Sequence, residues 1–368
     1  MKLDNGPHQD IGSRKAQHLD ICVDSSRYQV ESGSSRFDEV HFFHTPLPEL
    51  DVATIDTSLP MLGHRVSLPF FISSMTGGSA QGYQANKDLA AAAQACRIAV
   101  GMGSIRILFR KPEVFEHFYL RRIAPDIPIF ANLGGVQIRD MDHKEISEVL
   151  KRLEVSALAV HLNPGQELFQ SGGDRNFSGV LDGIARFATH SPVPIIVKET
   201  GFGIDPLQAQ RLIDAGAAYV NLAGSGGTNW VTVESYRESE DMFAAAEEFR
   251  DWGMPTALLL SACRSQNLQQ RILASGGLRS GMDIAKAVAM GAEAAGFALP
   301  FIRAVVEQGS EGAIAIIERV RKVFTSAMAL TGSSTLDQFR RSPLWFDTRL
   351  QEDTEQFVSN LHRIKERG

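Results

Sequence analysis

Eight short apolar runs, each closing on a Gly, Ser, Thr, Asn, Pro, Met or charged residue, recur along this chain and restrict its fold more than any other feature. They are PFFISSM (69–75), AVGMG (99–103), PIFANLG (128–134), ALAVHLN (157–163), PIIVKE (194–199), YVNLAG (219–224), ILASGG (272–277) and AAGFALP (294–300). Most begin roughly 25 to 35 residues after the previous one, the length of one strand–helix unit. Between them, ANKDLAAAAQACR, HKEISEVLKRLE, DPLQAQRLIDAG and GMDIAKAVAMGA carry apolar residues at helical spacing. Near-continuous apolar strands alternating with helices are buried on both faces, and eight of them predict a closed (β/α)8 TIM barrel, an α/β fold. A doubly wound open sheet uses the same alternation, and periodicity does not decide closure. The interval between the sixth and seventh runs is about 50 residues, enough for a segment that covers the site.

Before the barrel, residues 37–68 show short alternations punctuated by Pro and Gly, which suggest brief strands and turns. The expected organisation is a lead-in over 1–68, a barrel over 69–330 and a helical tail over 331–368. With 43% hydrophobic and 22% charged residues, the chain has material for a large core. A net charge of −6 argues against a nucleic-acid or membrane-surface binder but leaves room for a small anionic substrate. Cys22, Cys96 and Cys263 form no CxxC pair and suit buried positions in a reducing compartment. No apolar signal core and no stretch approaching about 18 apolar residues is present, so the expected location is the cytoplasm.

In a barrel the catalytic groups sit at the C-terminal ends of the strands, so the polar residues closing these runs would face one pocket. The fourth run ends in a cassette of His161, Asn163, Gln166 and Glu167, followed by a loop rich in Gly, Asp and Arg. An ordinary polar loop is the plain alternative, although a simple turn needs fewer polar groups. Gly226-Gly227-Thr228 and SGGLRSG (275–281) offer backbone N–H groups, a helix start and Arg279 to a phosphate. Singly, each glycine pair is also a tight turn. Lys198 ends an apolar strand, where it needs either a salt bridge to Glu199 or Asp205 or the electron-rich edge of a cofactor ring. Arg14, Lys15 and His18 lie within about one helical turn, as a solvated basic face or as an anion clamp. Glu167 is a candidate ligand for Mg2+. No early GxGxxG and no zinc-type His/Cys spacing occurs, which disfavours a Rossmann site and a zinc centre.

Taken together, RKAQH (14–18), LPELD (47–51), SMTGG (74–78), GMGSIR (101–106), ANLG (131–134), HLNPGQE (161–167), GDRNFSG (173–179), VKETGFG (197–203), GSGGTNW (224–230) and ASGGLRSGMDIAKA (274–287) resemble the type 2 isopentenyl-diphosphate isomerases. The resemblance runs from residue 14 to about 301 in the family's order. It implies an FMN-binding barrel that interconverts isopentenyl and dimethylallyl diphosphate, with Mg2+, reduced FMN and NADPH as reductant, in a homo-oligomer (tetramer or octamer). Carried over, Met75, Thr76, Gly77, Ser104, Asn132, Lys198, Thr228, Gly276, Gly277, Arg279, Ala298 and Leu299 would bind FMN. Arg14, Lys15, His18, Ser104, Arg106, His161, Asn163 and Gln166 would contact substrate. Glu167 would hold the metal, and Gln166 would face the reacting carbons. The chain departs at Ile105, where the family commonly has Gln, and at Gly165, where a larger residue is common. Another FMN barrel of the α-hydroxy-acid dehydrogenase type is the rival reading, and a non-catalytic flavin- or phosphate-binding regulator is a third. The rival leaves the RKxxH and NPxQE elements unexplained, and nothing in the strand-end set looks eroded enough to suggest the third.

Overall fold

The computed structural model describes residues 11–74, 79–268 and 271–367. The strands are β1 (Val40–Phe42), β2 (Leu59–Met61), β3 (His64–Val66), β4 (Phe70–Ile72), β5 (Ala99–Ser104), β6 (Ile129–Gly134), β7 (Ala157–His161), β8 (Ile195–Lys198), β9 (Tyr219–Asn221), β10 (Ile272–Ala274), β11 (Ala294–Phe297) and β12 (Leu344–Phe346). Strands β4 to β11 are parallel and close into a barrel, with β11 pairing both β10 and β4. The open sheet is thereby ruled out. Each of the eight runs supplies one barrel strand.

Burial on both faces explains their composition. All six residues of β6 and all four of β11 are buried, so an alternating polar face would leave polar groups inside the wall. Phe70, Phe297 and Phe301 pack with centroids 5.1 to 5.8 Å apart and join β4 and β11 to the helix that follows. The helices start at local caps. Ser79, Asp142 and Asp205 accept backbone N–H groups at helix N-termini, and Ser280 with Asp283 forms a capping box directly after the SGGLR turn.

The lead-in holds the expected brief strands. β2 and β3 form a hairpin across Leu62-Gly63, both at positive φ (49° and 81°), the pattern of a two-residue hairpin turn. β1 pairs antiparallel with β12, so the lead-in and the tail clasp one another. That strand inside the helical tail was not legible in the sequence. The long interval after β9 holds helices Trp230–Ser235, Glu240–Glu247 and Thr256–Ser265. Asn229 ties it down: its Oδ1 accepts from Val231 and Thr232 while its Nδ2 donates to the carbonyls of Phe249 and Arg250. Among the described residues no helix is long and apolar enough to cross a membrane.

Candidate active site

Two pockets open at the C-terminal rim of the barrel and share a wall. Ser74, Lys198, Thr200 and Trp230 line both. The first is built from the ends of β8 to β11 and includes Thr228, Gly276, Gly277, Arg279, Ala298 and Leu299. The second is built from the ends of β5 to β8 and the N-terminal helix Ile11–Val23. It gathers Lys15, His18, Ser104, Arg106, Asn132, His161, Asn163, Gln166 and Glu167.

In the first pocket the two glycine turns touch. A Cβ on Gly227 would stand 2.6 Å from Gly277 N, and one on Gly277 would stand 2.6 Å from Gly226 C. Gly226, Gly276 and Gly277 also sit at positive φ, so side chains are excluded twice over. Among the described residues, the N–H groups of Gly226, Gly227, Gly276 and Gly277 donate to no protein acceptor. Gly227 and Gly277 are buried and Gly226 and Gly276 half-buried, and backbone donors left in this state ask for an anion or water. Arg279 stands beside them and is paired with Glu31, which also faces Arg303 at 3.6 Å.

At Lys198 neither alternative salt bridge, to Glu199 or to Asp205, forms among the described residues. Its Nζ donates to the backbone carbonyl of Glu199 at 2.7 Å. The Glu199 carboxylate instead accepts the N–H groups of Thr200, Gly201, Phe202 and Gly203, and Asp205 caps a helix. Burial pulls Lys198 down to about 8 against the upward influence of Glu199. The result is a buried ammonium lining both pockets, hydrogen-bonded to a carbonyl and not ion-paired among the described residues.

The second pocket is a network around the cassette. His161 Nδ1 is 2.7 Å from Asn132 Oδ1, which fixes the tautomer with the proton on Nδ1 and leaves Nε2 as an acceptor. Burial, then Lys198, Lys15 and Arg106, push His161 down to about 3, so it is neutral. Asn163 Nδ2 donates to Gln166 Oε1 at 3.0 Å and to Glu167 Oε1 at 3.1 Å. Gln166 Nε2 donates to Glu234 Oε1 at 2.7 Å. Both ends of the Gln166 amide are therefore committed, and its rotation is fixed. Lys15 Nζ donates to the Ser104 carbonyl at 2.9 Å, so the RKxxH helix reaches the pocket of its own chain.

Glu234 was missed by sequence reasoning. It is fully buried on helix Trp230–Ser235, 3.0 Å from His18 Nε2, and bonded to Arg237 three residues on. Burial opposes its ionisation, but His18, Arg237 and the Gln166 amide hold it at about 2. In WVTVES the signal was only a carboxylate between Val233 and Ser235, which no periodicity separates from a solvent-facing one. Trp230, the last residue of GSGGTNW, stands edge-on to His18 at 5.4 Å.

Met75, Thr76 and Gly77 lie outside the described residues, as does the Arg14 side chain. Ser104 and Asn132, expected near FMN, line the second pocket rather than the first. Ile105 is completely buried, so it offers the pocket nothing. Gly165 sits under Phe202: a Cβ there would be 2.3 Å from the ring. The three cysteines are free and buried, and burial raises all three thiols.

Around a single Glu167, whose Oε2 accepts the Asp174 N–H at 2.8 Å, no cluster of three His, Cys, Asp or Glu residues forms among the described residues. That donor set suits a hard cation completed by substrate oxygens and water.

A barrel with an anion cradle of glycine turns beside a buried lysine defines a flavoprotein of the FMN-dependent dehydrogenase family, whose model matches residues 20–107 and 142–346. A lactate oxidase from Pediococcus acidilactici aligns with TM-score 0.64 at 19% identity, covering 94% of this chain and 98% of that one. A flavocytochrome b2 aligns with TM-score 0.65 at 20% identity, covering 91% and 83%. At such identities these two speak for the fold alone. The chain is 40% identical to an isopentenyl-diphosphate delta-isomerase of Borreliella afzelii, over 94% of this chain and 96% of that protein. It is 41% identical to one of Nostoc sp. (90% and 94%) and 36% identical to one of Pyrococcus furiosus (96% and 92%). The chain belongs to the isopentenyl-diphosphate delta-isomerase family.

Proposed function

We propose that this enzyme interconverts isopentenyl and dimethylallyl diphosphate by a 1,3-allylic proton shift in isoprenoid biosynthesis, with FMN in the glycine-lined pocket and Mg2+ at Glu167. The observation that carries the reading is the shared wall: an anion cradle and a cation-rich, amide-bearing pocket meet at Lys198, Thr200 and Trp230. The residues present fit FMN. Four backbone N–H groups and Arg279 suit its phosphate, and the Lys198 ammonium suits a ring that becomes anionic on reduction. When bound in its reduced form, FMN supplies acid–base chemistry to the allylic carbons.

The reaction adds a proton at C4 and removes one from C2, with no net redox change. Lys15, Arg106 and Arg14 neutralise the diphosphate, and Glu167 contributes one carboxylate to the metal. Gln166 is a weak acid, and with both amide ends committed to Asn163 and Glu234 it orients the alkene rather than donating a proton. Glu234 is a positioning residue that holds Gln166 and His18 together. His161, neutral with Nε2 free to accept, takes a hydrogen bond and adds no positive charge. Trp230 and the helix that bears it keep water from the allylic centre.

The purified protein with FMN, Mg2+ and NADPH under anaerobic conditions should convert isopentenyl diphosphate in D2O to deuterated dimethylallyl diphosphate. No conversion with fully reduced flavin bound would overturn the assignment. Bleaching of oxidised flavin by a 2-hydroxy acid would favour the dehydrogenase reading. A tetramer or octamer in the cytoplasm belongs to the same proposal, and sedimentation tests the assembly.

A further inference from the structure

A third cavity of about 550 Å3 lies behind the cassette and borders the reaction pocket at His161 and Asn163, which line both. It opens between helices Pro164–Phe169, Val180–Ala188 and Pro206–Asp214, under Phe249 and Trp252, and its lining is mainly apolar. The short cassette helix has two faces. Gly165, Leu168 and Phe169 line this cavity, while Gln166, Glu167 and Gln170 line the reaction pocket. That is the i, i+3, i+4 division of a helix surface, so this helix forms part of the wall between the two spaces, which also meet at His161 and Asn163. Phe202 lies directly on the helix backbone, because the missing side chain of Gly165 leaves it room.

The mouth carries two features that the interior lacks. Arg211 is exposed, and its guanidinium donates to Gln208 Oε1 at 3.3 Å with no carboxylate in ion-pair range among the described residues. Trp252, which lines the same cavity, is 60% exposed, a large aromatic surface left in water. A mainly apolar cavity of several hundred Å3 with the exposed Arg211 guanidinium in its lining is complementary to an amphiphile.

We infer that this cavity binds a small amphiphile with an apolar chain of roughly 10 to 15 carbons and an anionic head at Arg211. An occupant presses on Leu168 and Phe169, and through the same helix it shifts Gln166 and Glu167 on the opposite face. The site is thereby coupled to the reaction pocket, and its existence does not depend on the chain being an isomerase.

The test uses the FMN-loaded full-length protein and dodecyl phosphate below its micellar concentration. The expected result is saturable binding by calorimetry with a blue shift of tryptophan emission that disappears in Trp252→Phe. Arg211→Ala weakens dodecyl phosphate at least tenfold and leaves dodecanol unchanged. Leu181→Trp, which fills the cavity, abolishes binding while the flavin content stays normal. Saturating dodecyl phosphate changes the Kd of Mg2+-pyrophosphate at least threefold in the parent protein and not in Leu181→Trp, as linkage requires. Absence of saturable binding would overturn the inference. So would an emission shift that persists in Trp252→Phe, because Trp230 in the reaction pocket or Trp345 on the surface would then be reporting binding elsewhere. A change of oligomeric state in Arg211→Ala without any loss of amphiphile affinity would make the cavity a seat for a second copy and overturn it too. An unchanged pyrophosphate Kd in the presence of bound amphiphile would overturn the coupling.

Discussion

Single side chains divide the site's work between charge and orientation. Gln166 is held by Asn163 and Glu234, so Gln166→Ala should cut turnover by about 100-fold or more, the scale expected when a positioned group is lost, while leaving flavin affinity near normal. Loss of FMN instead would make Gln166 structural. Glu234→Gln removes the carboxylate facing His18 and Arg237, and should lower both turnover and stability, the latter by about 3 kcal/mol, read from denaturant unfolding. Lys198 carries the pH dependence. Its ammonium is pulled down to about 8 in the flavin-free protein, so the cation is present below that pH and is lost as pH rises through it. Affinity for reduced, anionic flavin should therefore fall on the alkaline side, and Lys198→Met should flatten that profile. His161, held near 3, should contribute no acidic limb between pH 5 and 7.

Elements explain why residues so far apart in sequence meet. Each cassette side chain sits at or just beyond the end of β7, and Lys198 is the last residue of β8, hydrogen-bond register placing it opposite His161. The glycine turns after β9 and β10 are in contact, so one side chain there disturbs both. Gly277→Ala combines positive φ with a 2.6 Å approach to Gly226 C. A left-handed conformation alone costs about 1 to 2 kcal/mol, and FMN affinity should drop at least tenfold in a fluorescence titration, with the barrel still folded. Helix Trp230–Ser235 illustrates the limit of local reading. It is six residues long, five of them buried, and its direction comes from Asn229 pinning the covering segment rather than from any amphipathic stripe. Glu234 enters the site by that route.

At the scale of the whole molecule, a segment before the barrel is tied to one after it. Arg36, at positive φ, donates to both carboxylate oxygens of Glu39 and to Asp353 on the C-terminal helix, beside the β1–β12 pair. Arg36→Ala removes these charged hydrogen bonds and should lower stability by about 2 kcal/mol, visible as a reduced Tm without loss of bound flavin. The barrel, its eight strands and the side on which polar residues collect were legible because burial on both faces forces apolar runs, and a barrel forces their ends to one rim. The glycine turns were legible for a similar reason, since only glycine tolerates those contacts and those φ angles. Other features needed neighbours distant in sequence. Which nitrogen of His161 bears the proton depends on Asn132, on a different strand. Whether Lys198 pairs with Glu199 depends on four loop N–H groups that claim the carboxylate first. Glu234, the clasp of β1 on β12, and the two-faced cassette helix with a cavity behind it all arise from packing across the chain. Local pattern sufficed where backbone and burial impose a rule on each residue in turn. Tertiary structure decided whatever depends on which groups compete for the same partner, because that competition takes place only once the barrel has closed.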